Sequence, residues 1–122
     1  QKYRMMNIEA LLLSKRYDQA RSSVNILQNY KKGFFPVAWS TFQAIIQEKD
    51  DKNDLGAQKD YLLALQTKAD DQYTKEYHAM SYAGLARIAH RAGDKVKAKN
   101  YYKKCLELAE YGSLKAEAKA YK

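Results

Sequence analysis

The sequence predicts an all-α fold built from paired helices, and three observations carry that prediction. First, 122 residues hold one proline and five glycines amid abundant Ala, Leu, Lys, Tyr and Gln, a mix that favours helix and starves a sheet of turns. Second, a small residue followed by apolar residues at +4 and +7 recurs three times: Ala20-Val24-Leu27, Ala57-Tyr61-Ala64 and Ala98-Tyr102-Cys105. That spacing puts all three on one helix face, where the alanine admits a neighbouring helix and the larger residues fill the space beside it. Third, helix punctuation falls between these stretches.

Each stretch follows another apolar helical segment. Met5, Ile8, Leu11 and Leu12 precede the first, Trp39, Phe42, Ile45 and Ile46 the second, and Tyr82, Leu85, Ala86 and Ala89 the third. Pro36 suits a first turn, where its missing N–H costs nothing. Gly33 after Lys31 and Lys32 reads as a helix end, and Gly93 and Gly112 as two more. Asp94 and Ser113 are suited to capping the helices that follow. The reading is seven helices, roughly 2–14, 17–30, 36–48, 54–68, 74–91, 95–110 and 113–122. The acidic stretch from Glu48 to Asp54 is expected as a solvated turn, and Asp70-Asp71 as the turn before the third pair.

Net charge is +8 and uneven. Residues 1–31 carry +4, residues 32–74 carry −2 and residues 75–122 carry +6. Basic ends of this kind attract acidic protein segments, nucleic acid or an anionic membrane surface, although lysines spaced along helices also serve as a solvated surface. No apolar run approaches the roughly 18 residues of a membrane span. The chain begins at Gln1. The expectation is a soluble chain, cytoplasmic or, if a leader has been removed ahead of Gln1, bacterial periplasmic.

Little in the sequence points to chemistry. Cys105 is the sole cysteine, at a small interior position, so it reads as a packing thiol. His78 and His90 lack metal-ligand spacing, and no glycine-rich phosphate loop is present. The expectation is a non-enzymatic chain with no cofactor and no metal. The eleven tyrosines invite a nucleic-acid reading, but Tyr61, Tyr82 and Tyr102 fall on core spacing and no recognised nucleic-acid motif appears.

The segment from Tyr82 through Leu85, Ala86, Gly93 and Asp94, followed by Ala98, Tyr102 and Cys105, resembles a tetratricopeptide repeat (TPR). Those residues fall in order on the family's aromatic, Leu, small, Gly-Asp, Ala, aromatic and small positions. Two degenerate copies precede it. The resemblance implies one domain over 1–122: a right-handed superhelical stack of about three antiparallel helix pairs (about 1–31, 34–68 and 74–110) plus a C-terminal helix over 113–122. It also implies a concave groove, lined by first helices, that holds a peptide or helix of a partner. If Tyr82, Leu85 and Ala89 face the core, then Met80, Ala83, Arg87, His90 and Arg91 turn toward that groove, with Trp39 on the preceding first helix. Arg87, His90 and Arg91 are then placed to hold a partner's carboxylate. The function expected is a protein-interaction scaffold, and the alternative is a basic adaptor contacting RNA or an anionic membrane.

Overall fold

The computed structural model describes residues 2–30 and 35–121, and among them the chain is all-helical, with no strand. Seven helices follow one another: α1 (Lys2–Leu13), α2 (Tyr17–Leu27), α3 (Phe35–Lys49), α4 (Asp54–Leu65), α5 (Gln72–Arg91), α6 (Lys95–Leu108) and α7 (Gly112–Ala120). The expected seven helices are therefore present, with ends shifted by up to three residues. Gly33 and its flanking lysines lie outside the described residues.

The turns between α1 and α2, α3 and α4, and α5 and α6 use the same backbone device. Lys15, Lys52 and Gly93 each sit two residues ahead of the next helix with φ of 60°, 57° and 88°. A left-handed residue at this place lets the last helical carbonyls find donors, and the Arg16 and Asp94 N–H groups each reach back five residues, to Leu11 and Ala89. Only the third of them uses glycine. Asn53, Asp71 and Asp94 then cap α4, α5 and α6 by accepting the backbone N–H of Gly56, Thr74 and Lys97.

The last helix departs from expectation. Gly112 is the first residue of α7 rather than a stop, and Ser113 lies inside the helix rather than capping it. The amides of the preceding turn are held from elsewhere: Glu76, buried on α5, accepts the N–H of Glu110 and of Tyr111.

Consecutive helices pack on one another along the chain, and α5 also touches α3 and α7. Ala20, Ala57 and Ala98 are each fully buried, as their spacing predicted. α5 is the longest helix and is enclosed on several sides, by α3, α4, α6 and α7. It bears this because Ala79, Ser81, Ala83, Gly84, Ala86 and Ala89 leave room for neighbouring backbones on more than one face. Gly84 makes the tightest approach: a Cβ there would run into the buried Tyr61 ring of α4. The core forms three apolar groups, one around Phe42 and Tyr77, one around Tyr61 and Leu85, and one around Tyr102, Cys105 and Ala118 that seats α7.

Candidate partner-binding cleft

A cleft of about 320 Å³ opens between α1, α3, α5 and α7. Helical spacing supplies each wall: Glu9 and Leu12 on α1, Phe42, Ile45 and Lys49 on α3, Met80 and Arg87 on α5, Leu114 and Glu117 on α7. These pairs stand three, four or seven residues apart, so each helix shows the cleft one strip of its surface. Its lining combines apolar side chains with the charged Glu9, Lys49, Arg87 and Glu117. Burial lifts the Glu9 carboxyl above its ordinary range, with the charge of Glu76 adding to the effect. Burial also lowers the Lys49 ammonium, and Arg87 pushes in the same direction.

Beneath one border lies a network of charges that clasps α3, α4, α5 and α7. The Glu48 carboxylate accepts two parallel bonds from Arg87, Nε to Oε2 at 2.8 Å and Nη2 to Oε1 at 2.9 Å. It also accepts the Tyr61 hydroxyl at 2.8 Å and Arg91 Nη2 at 2.9 Å. Arg87 Nη1 donates to Glu117 at 2.7 Å, and Tyr102 donates to the same Glu117 oxygen at 2.7 Å. Arg91 closes the far side with two bonds to Asp54, both at 3.0 Å. Burial alone would raise the Glu48 carboxyl. The bonds from Arg87, Arg91 and Tyr61 outweigh it and hold the group at about 2. Burial raises the Tyr61 and Tyr102 hydroxyls, which therefore stay protonated as donors.

Four expectations are corrected by this geometry. Glu48 belongs to α3 and is buried, not part of a solvated turn; it continues the inward stripe of Val37, Thr41 and Ala44. Arg87 and Arg91 do not stand free for a partner's carboxylate, because Glu48, Glu117 and Asp54 already take their donors. Ala83 does not face the cleft; it is fully buried in the group that seats α7. Trp39 lies away from the cleft, beside a separate depression with Leu27, Pro36 and Leu63, and its indole N–H has no partner among the described residues.

Of the six residues expected at the groove, then, the fold brings Met80 and Arg87 to the cleft. His90 is exposed and reaches Tyr121 instead, Nδ1 to hydroxyl at 2.9 Å, which fastens the end of α7 to α5. Sequence reading missed Leu12, Phe42, Ile45 and Leu114 as a common surface because they come from three helices whose mutual approach no local pattern encodes. It missed Lys49 and Glu117 for the same reason.

Cys105 is buried, and burial, with Glu117 and Glu76, pushes its thiol up to about 11, so it stays protonated at neutral pH. His78 packs inside with its Nε2 3.0 Å from the Ala64 carbonyl. Among the described residues no group of three His, Cys, Asp or Glu side chains is placed to hold a metal ion, and no helix is long and apolar enough to cross a membrane. Compared with protein-family models, curated proteins and solved structures, the chain matches none.

Proposed function

We propose that this chain is a short stack of TPR-like helix hairpins, closed by α7, that works as a protein-interaction scaffold and seats a segment of a partner in the cleft between α1, α3, α5 and α7. One observation carries the reading: the first helix of each hairpin and the closing helix contribute a strip to one shared concavity, lined by apolar and charged side chains together. The repeated left-handed turn and the packing of α3 on α5 and α5 on α7 support the hairpin stack and its superhelical arrangement.

The partner segment this cleft suits has apolar side chains for Met80, Ile45 and Leu114, and an acid for Lys49, which has no ion-pair partner among the described residues. Groove recognition of this kind draws its energy from a few buried anchors. The test is selection of displayed random peptides on the full chain, followed by affinity measurements on the winners. Met80→Glu places a charge in the apolar strip and should weaken them at least about ten-fold. Winners that bind the variant as tightly as the parent would remove the cleft from consideration.

A further inference from the structure

The face of α6 that points away from the cleft carries a different kind of surface. None of its residues lines the cleft. Lys95, Lys97, Lys99, Lys103 and Lys104 are all exposed, against a single acid, Glu107. Fourteen residues thus hold four of the chain's eight net positive charges. Among the described residues no carboxylate stands within ion-pair distance of any of the five. Lys97 and Lys104, seven residues apart, share one side of the helix, and Lys95, Lys99 and Lys103 form a second row beyond Glu107. A solvated helix ordinarily intersperses both signs, so this surplus of positive charge calls for a polyanion.

Two half-buried tyrosines sit beside the Lys97–Lys104 row. Tyr82 of α5 and Tyr101 of α6 lie with ring centroids 6.2 Å apart and planes tilted by 32°. Lys104 Nζ is 5.6 Å from the Tyr82 centroid and Lys97 Nζ is 6.0 Å from that of Tyr101. The two ammonium groups are thereby steadied seven residues apart, about 10 Å along the helix, on either side of an aromatic pair. The pairing comes from the packing of α5 on α6, which is why no linear motif announced it.

We infer that this α6 face binds single-stranded nucleic acid, Lys97 and Lys104 swinging off the Tyr101 and Tyr82 rings to take phosphates and leaving those ring faces to stack on bases. Cationic side chains along a groove or ridge follow a phosphate backbone, and aromatic faces accept bases without regard to sequence. A duplex keeps its base faces inside the stack and cannot use the tyrosines. A lipid surface would use the lysines, but it also calls for apolar side chains to enter the interface, and on this face Val96 alone is a well-exposed aliphatic group.

The test uses the full chain and a labelled oligouridylate of about twelve nucleotides at roughly 50 mM salt, with affinity followed as salt is raised. The result expected is binding whose logarithm falls with log salt by about 0.7 per phosphate engaged. Lys97→Glu with Lys104→Glu should weaken it at least about ten-fold, and Lys97→Gln with Lys104→Gln should weaken it in the same direction, while circular dichroism stays that of the parent. Lys59→Glu with Lys68→Glu on and after α4 changes net charge equally and should cost less than about two-fold. The inference is overturned by no binding at low salt, by equal losses in the two charge-reversed proteins, by a duplex of the same length binding as well as the single strand, or by capture on phosphatidylserine vesicles without oligonucleotide binding. None of these outcomes bears on peptide binding in the cleft.

Discussion

Glu48 of α3 and Arg87 of α5 meet in a two-pronged ion pair, 2.8 and 2.9 Å, with the carboxylate side chain only 3% exposed and the guanidinium 19% exposed. Each is the other's chief compensation for leaving water, and the pair ties α3 to α5.

Removing one member should therefore cost far more than an ion pair on the surface. Glu48→Gln leaves the half-buried Glu117 as the sole counterion of the buried Arg87 charge and should destabilise by about 3 kcal/mol. Arg91→Gln loses bonds from a side chain that is 45% exposed and should cost under about 1 kcal/mol. Urea unfolding of the two variants gives the comparison, and equal losses would mean that Glu48 is not the hub of the network.

The same pair predicts how stability depends on pH. The folded-state Glu48 group at about 2 lies below its ordinary value of 4.5, so its contribution is present in full above 4.5 and is lost as pH falls toward 2. The loss should approach about 3 kcal/mol and should be missing from Glu48→Gln. Glu9 runs the other way. Its raised value makes its charge a burden at neutral pH that protonation relieves, so Glu9→Gln should raise the melting temperature at pH 7 and lose that advantage in acid. Thermal melts across pH 2 to 7 read both signs.

Gly84 carries a packing prediction. A methyl group there meets the Tyr61 ring, which is fully buried and hydrogen-bonded to Glu48, so the ring has nowhere to retreat without breaking the network. Gly84→Ala should destabilise by roughly 1–3 kcal/mol, despite alanine's better helix propensity. A gain in stability would mean that α4 and α5 pack less closely at this point.

The shared left-handed turns give the opposite sign. Lys15 and Lys52 hold a conformation that costs an L-residue roughly 1–2 kcal/mol and glycine far less. Lys15→Gly and Lys52→Gly should each stabilise by up to about 1 kcal/mol, while Gly93→Ala should destabilise. Denaturation midpoints of the three variants check the assignment.

These cases mark how far the sequence could be read. Ala20, Ala57 and Ala98 were legible because helical periodicity within each stretch says which face is buried. Asp94 was legible as a cap because its acceptor role is local. Glu48 was not, since a carboxylate beside an acidic run looks solvated until Arg87, thirty-nine residues on, is known to face it. Its place four residues beyond Ala44 on the inward stripe was the signal that pointed the other way. Ala83 was misplaced because a single apolar face was assumed for α5, and a helix enclosed by four others has more than one. Of the cleft, Met80 and Arg87 could be placed, whereas the floor required the packing of separate helices.

The central claim is that the cleft receives the partner, and the chain's three methionines supply the probe. Met80 lines the cleft, Met5 is buried on the inner side of α1 and Met6, on the same helix, is exposed outside the cleft. Methyl-labelled methionine spectra of the full chain, recorded during titration with a selected peptide, should show the Met80 signal shifting while Met5 and Met6 hold still. Saturable binding with Met80 unmoved would contradict the account.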